Sequence, residues 1–291
     1  VNITTQELLT LQQEAWVLRE KHFPASIQFD YPEATQVITL TGTDCSLNCA
    51  HCGGHYLKNM TPVNNIFGAD KGKYTSCLIS GGCDQAGKVP MGSSWQLMTK
   101  LKKERKMNLH VGLVSHGEAA RLPEVCDVVS FDFVGDDDTI QEVYGLNKTV
   151  ADYLDCYRNL RKYVKVLPHI CIGLKGGEIK GEYQALELLQ REEVDGLVFI
   201  VFSPTQNTRY AHRMPPPLEE VIKVIATARR MFPNKPIHLG CMRPKGQYRA
   251  NLDTWAVKCG INKLVVPTLS GRQTAKELGL KIITGQECCV L

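Results

Sequence analysis

Along most of the chain, short apolar runs alternate with longer amphipathic segments. Residues 4–21 carry Leu8, Leu9, Leu11, Ala15, Trp16 and Leu18 at helical spacing, which predicts an N-terminal helix. After Pro24 the pattern changes. Runs rich in Val, Ile and Leu stand at 36–41, 77–80, 109–115, 128–134, 166–174, 197–203, 236–242 and 263–267. Helical patterns separate most of them, at 93–106, 150–162, 183–191, 218–231 and 252–259; the stretches between the first two runs and around 118–123 are less regular. Runs that are apolar at nearly every position predict parallel strands buried on both faces. Strand and helix in alternation predict right-handed βαβ units. Eight such units predict an α/β fold, a closed (β/α)8 barrel of the TIM type, with the N-terminal helix outside it and a C-terminal tail near the barrel mouth. An open doubly wound sheet is the alternative. Residues 1–35 read as an N-terminal helical extension and 36–291 as the barrel with its tail, one domain overall. In such a barrel the functional residues gather where strands run into helices, at the carboxyl ends of the strands.

Composition narrows the function classes. The chain has 291 residues, 43% hydrophobic and 22% charged, which excludes a mainly disordered protein. No apolar stretch reaches the roughly 18 residues of a membrane span, and no signal-peptide pattern opens the sequence. A net charge of +4 over this length gives no case for nucleic acid. Lys100, Lys102, Lys103, Arg105 and Lys106 read as the solvated face of a helix that also carries Trp95, Leu97 and Leu101.

Twelve cysteines are the outlying count. A secreted disulfide scaffold would be shorter and rich in loops, so a reducing cytoplasm with metal or cluster ligation is expected. Cys77, Cys126, Cys156, Cys171 and Cys259 lie among apolar or helical positions and read as small core residues. The sharpest signal follows the first run: Thr43-Asp44-Cys45-Ser46-Leu47-Asn48-Cys49-Ala50-His51-Cys52-Gly53-Gly54. Three thiolates on one loop can hold three irons of a [4Fe–4S] cube, leaving the fourth open to a small molecule. Zinc is the competing reading, with His51 or His55 as the fourth ligand. No nucleophile elbow, zinc-protease motif or phosphate-binding loop is present.

Cys45, Cys49 and Cys52 in this spacing, after a first barrel strand, resemble the signature of the radical S-adenosylmethionine (SAM) superfamily. The resemblance implies a [4Fe–4S] cluster whose open iron chelates SAM, and a 5′-deoxyadenosyl radical that abstracts hydrogen from an unactivated carbon. It places His51 near the adenine. It makes Gly81 and Gly82 of Ser80-Gly81-Gly82-Cys83-Asp84 a SAM-binding pair, although the usual Gly-Gly-Glu is replaced here by Cys83 and Asp84. Asp132, ending the fourth run, takes the place of a ribose ligand, and Gly173, in the fifth, of a residue near SAM. Phe131-Asp132-Phe133, Val143-Tyr144-Gly145 with Tyr153 and Arg158, Gly176-Gly177-Glu178 and the 203–208 stretch resemble, in that order, the biotin-synthase-like branch.

Cys83, Cys241, Cys288 and Cys289 suggest an auxiliary cluster, if the tail folds back over the mouth. Arg243 and Lys245, with Arg249 a weaker candidate, read as a pair that binds a substrate carboxylate. Cys-Gly-Gly-His at 52–55, Gly-Cys-Met-Arg-Pro at 240–244 and the cysteine-containing tail resemble the two-protein lipoyl synthase. That resemblance implies sulfur insertion into a protein-bound octanoyl chain, a second radical SAM subunit, a lipoyl carrier protein and an electron donor of the ferredoxin or flavodoxin type. Two other classes stay open: a carbon-skeleton or cofactor-maturation enzyme with one cluster, and a non-catalytic iron–sulfur or zinc protein.

Overall fold

The computed structural model describes residues 6–66 and 73–291; the first two residues of the predicted N-terminal helix lie outside them. Eleven parallel strands form one sheet. They are β1 (Ser26–Asp30), β2 (Thr35–Thr39), β3 (Thr61–Pro62), β4 (Ser76–Ser80), β5 (Lys106–Leu109), β6 (Val128–Asp132), β7 (Lys165–Ile172), β8 (Leu197–Val201), β9 (Ile237–Leu239), β10 (Lys263–Val265) and β11 (Lys281–Gly285). The helices are α1 (Gln6–His22), α2 (Trp95–Lys102), α3 (His116–Arg121), α4 (Asp137–Thr139), α5 (Val150–Arg161), α6 (Glu182–Gln190), α7 (Leu218–Met231), α8 (Gly246–Lys258) and α9 (Leu269–Glu277).

All eight apolar runs become strands, β2 and β4 to β10, each beside the next. The order steps in one direction without reversal, so the doubly wound alternative is excluded. The prediction of a closed barrel is corrected. The free edge of β10 pairs with β1, and β1 with β11, while β2 carries only the two-residue β3 on its other side. The sheet therefore curls without closing through a pairing of β10 with β2. The cause lies in the stretch assigned to a helical extension. Ile27 and Phe29 are fully buried core residues of a strand that occupies the closing edge.

Helices cover the outer face of the sheet, and the main core lies between the two layers. A second, small core fills the lower interior, where Val128, Leu167 and Val198 meet Cys288 and Val290. The Cys288 N–H bonds Thr35 Oγ1 at 3.0 Å, Lys106 pairs with Glu287 at 2.7 Å, and Lys263 Nζ donates to the Leu291 carbonyl at 2.9 Å. Thr35, Lys106 and Lys263 begin β2, β5 and β10. The tail thus plugs the amino ends of the strands, opposite the mouth at which it was expected. Among the described residues no helix is long and apolar enough to cross a membrane.

Candidate functional site

The cysteine loop leaves the carboxyl end of β2 and is fixed by the elements around it. Thr39 Oγ1 donates to the Gly42 carbonyl at 2.8 Å, and Thr41 Oγ1 to the Asp44 carbonyl at 2.9 Å while accepting from the Gly82 N–H at 2.7 Å. The Ser46 N–H donates to the Cys83 carbonyl at 2.8 Å, which ties the loop to the end of β4. Further along, the Ala50 N–H bonds the Val143 carbonyl at 2.7 Å, and the Ala50 carbonyl accepts from Tyr210 N–H at 3.0 Å. Val143 belongs to a π-helical turn, Ile140–Tyr144, a local widening that often marks functional sites. Backbone bonds thus hold the loop from three sides.

Gly82 shows why this sequence is needed. A Cβ there would stand 1.9 Å from the Asp44 carbonyl oxygen and 2.6 Å from Cys45 Cα, so only glycine lets the turn after β4 come this close to the first cysteine. The predicted Gly81–Gly82 pair is therefore a buttress of the cysteine loop, whatever else it touches.

The thiols of Cys45, Cys49, Cys52 and Cys83 lie near enough to perturb one another. A hydrogen bond from Cys49 draws Cys52 down to about 7, while the same bond, then burial, raises Cys49. Burial, with the neighbouring Cys45 and Asp132, pushes Cys83 up to about 12. His51 is half-buried beside them, its ring edge-on to Tyr144 with centroids 5.7 Å apart. Burial lowers its pKa to about 4, so the imidazole is neutral, and its Nδ1 is buried without a partner. Asp132 is open to solvent at the end of β6 yet ringed by protein, which raises its carboxyl pKa. Beneath the loop lies a cavity of about 70 Å³, lined in part by Cys83, His110, Asp132, Tyr144 and Tyr153.

Other predicted residues have different surroundings. Asp84 Oδ1 accepts from the N–H groups of Ala86 and Lys88 at 2.9 and 3.0 Å, so its carboxylate caps its own turn. Gly173, at φ +75°, packs on Pro216 and donates its N–H to Glu182 Oε1 at 2.7 Å. Arg243 is corrected outright as a carboxylate binder. Its five donors are spent on Asp253 at 2.8 and 3.2 Å and on the carbonyls of Gly240, Val265 and Val266, with no side-chain exposure. Its presumed companions do not form a receptor with it. Lys245 is exposed, and Arg249 bonds the carbonyls of Cys241 and Val266. Cys241 is exposed near the mouth. Cys288 and Cys289 are inside the plug, Cys288 against Asn108 and Cys289 against His169. The structure therefore does not gather Cys83, Cys241, Cys288 and Cys289 into one ligand set at the mouth.

The sequence reading passed over His110 and Tyr56, and took Cys171 for a small core residue. His110 faces the cavity from the end of β5. Burial raises both the Tyr56 hydroxyl, which pairs with Thr205 Oγ1 at 3.0 Å, and the Cys171 thiol. His110 and Cys171 follow Asn108 and His169 by two residues, and strand periodicity carries that signal.

Among the described residues no three His, Cys, Asp or Glu side chains converge on one metal ion, as a zinc site would demand. A cube spreads its ligands over separate irons, and three thiols from one rigid loop suit it. The unpartnered His51 nitrogen leaves a polar contact for a second, organic ligand.

No protein-family model matches the chain, and no curated protein matches it in sequence. Solved structures do resemble it. Methylornithine synthase is similar with a TM-score of 0.69 at 14% identity, over 97% of this chain and 91% of that one. The FeFe-hydrogenase maturase HydG from Carboxydothermus hydrogenoformans is similar with a TM-score of 0.66 at 14% identity, over 91% of this chain and 64% of that one. Streptococcus suis SuiB bound to S-adenosylmethionine gives a TM-score of 0.53 at 11% identity, over 92% of this chain and 65% of its own. These likenesses establish the shared fold.

Proposed function

We propose that the chain is a radical SAM enzyme: Cys45, Cys49 and Cys52 hold a [4Fe–4S] cluster, and SAM binds its open iron. The observation that carries this reading is the position of the cysteine loop, held by backbone hydrogen bonds over the carboxyl end of a curled parallel sheet, with a cavity beneath it that Cys83, His110 and Asp132 help to line. The same fold occurs in a protein crystallised with SAM, which supports the second ligand. Bound together, cluster and SAM supply a 5′-deoxyadenosyl radical that takes hydrogen from an unactivated carbon. The protein does the rest. His51, a neutral flat ring, lies against the adenine and offers its free Nδ1. Asp132 accepts a ribose hydroxyl from the end of β6. Gly82 keeps the loop in register, and Tyr144 and Tyr153 wall the cavity against water. An electron-donor protein of the ferredoxin or flavodoxin type delivers the electron.

A narrower reading is sulfur insertion into an octanoyl chain on a lipoyl carrier protein, with a second radical SAM subunit; the 52–55 and 240–244 runs support it. It needs a sulfur-donating second cluster. With Cys288 and Cys289 in the plug, Cys241 and Cys171 are the candidates left at the mouth beside Cys83. Hydrogen abstraction at one cluster is the reading the geometry supports best.

The test is iron and sulfide content after anaerobic reconstitution, beside a Cys45/Cys49/Cys52→Ala variant, followed by SAM and dithionite. About four irons, lost in the variant, with 5′-deoxyadenosine formed only by the parent, is expected. About eight, with about four kept in the variant, would favour sulfur insertion. Iron retained by the variant at the parent's level, or no 5′-deoxyadenosine, would overturn the reading.

A further inference from the structure

Cys83 stands where the resemblance leads one to expect a carboxylate, and the structure ties it to the cysteine loop. Its neighbour Gly82 rests on Cys45, its carbonyl holds the Ser46 N–H at 2.8 Å, and Cys83 lines the cavity beneath the loop with Asp132 and Tyr144. Electrostatically it interacts with Cys45, Cys49 and Cys52. Cys83 therefore stands in the turn after β4, against the loop that carries the other three cysteines, while a three-thiolate cube leaves one iron to be filled.

We propose that Cys83 is a displaceable fourth ligand of that cluster, closing the open iron until SAM arrives. The inference rests on the radical SAM reading and assigns Cys83 to the first cluster instead of an auxiliary one. In the exchange the iron–sulfur bond to Cys83 breaks, and bonds form from that iron to the amino nitrogen and a carboxylate oxygen of SAM. The SAM ammonium gives up one proton and the departing thiolate takes one up, so charge balances and no electron moves. The chemical reason to keep such a cap is protection. A three-thiolate cube loses its unique iron readily on oxidation, and a fourth thiolate holds it. Position also favours a side chain from the turn after β4: a Cβ on Gly82 would stand 2.6 Å from Cys45 Cα, so the next residue starts beside the first cysteine.

The experiment uses the reconstituted full chain in thiol-free buffer, because added thiols would fill the same position. Mössbauer spectra without SAM are expected to show no iron site distinct from the rest, and a distinct one when SAM is added. Stoichiometric ferricyanide should yield little [3Fe–4S] signal in the parent and several-fold more in Cys83→Ala, with iron content alike before oxidation. A Cys241→Ala control should behave as the parent. A distinct site in the SAM-free parent, or [3Fe–4S] yields equal in parent and Cys83→Ala, would overturn the proposal. The Mössbauer comparison stands even if the variant fails to fold. Absence of any cluster in the parent is a separate result, which defeats the radical SAM reading itself.

Discussion

Gly82 and Cys45 touch through their backbones: a Cβ built on Gly82 would lie 2.6 Å from both Cα and Cβ of Cys45. Neither chain segment can yield without cost, since Gly82 is fixed by Thr41 Oγ1 and the loop by the Cys83 carbonyl. Gly82→Ala should displace the loop and abolish or sharply reduce iron uptake, with the circular dichroism of the fold retained. Gly92→Ala, at an ordinary φ with nothing within 4 Å, is the control and should take up iron as the parent does. Equal iron in both variants would show that the contact does not govern the loop.

Arg243 and Asp253 behave as fold, not as substrate machinery. Both side chains are fully buried, and Asp253 Oδ2 also accepts from the Thr268 N–H at 2.8 Å. Arg243→Ala strands a buried carboxylate and should cost about 3–5 kcal/mol in urea unfolding. Arg243→Lys should recover only part of this, because one ammonium cannot serve five acceptors in a fork. A variant with parental stability would reverse the assignment.

Much of this arrangement was legible in the residues. Uninterrupted apolar runs marked eight of the strands, β2 and β4 to β10, and the spacing of Cys45, Cys49 and Cys52 located the loop. β1 and β11 escaped because their partners are remote in sequence: Gln28 pairs with Lys263 and with Ile283, and no local period encodes that. Arg243 was misread because its acidic partner lies ten residues on, across a loop. The tail was misplaced for a similar reason. Cys288 and Val290 are apolar enough for either end of the sheet, and the choice is made by Thr35, Lys106 and Lys263.

The interior also predicts acid sensitivity. His169 Nδ1 bonds the Leu167 carbonyl at 3.0 Å, His238 Nδ1 the Cys289 carbonyl at 2.8 Å, and burial lowers both pKa values to about 3. The unfolded chain binds protons at these sites from about pH 6.5 downwards, while the folded chain does so only near 3. Their stabilising contribution is therefore full above pH 6.5 and lost as pH falls towards 3. Each imidazole should add about 1.4 kcal/mol per pH unit to the slope of unfolding free energy in that window. His169→Asn should flatten the slope by about one proton; an unchanged slope would mean that the imidazole is protonated in the fold.

The plug separates two accounts of the last cysteines. Were Cys288 and Cys289 cluster ligands, replacing both with alanine would remove iron. In the structure they serve packing: Cys288 is 6% and Val290 7% exposed, against Val128, Leu167 and Val198. The double alanine variant should therefore keep the parent's iron and lose modest stability, about 1–3 kcal/mol for the small buried groups removed. Val290→Asp should cost more, since it buries an unpaired carboxylate among aliphatic side chains. Unfolding curves and iron assays on the same preparations decide the matter: a stability loss with iron intact fits a plug, whereas iron loss at parental stability would place the thiols on a metal.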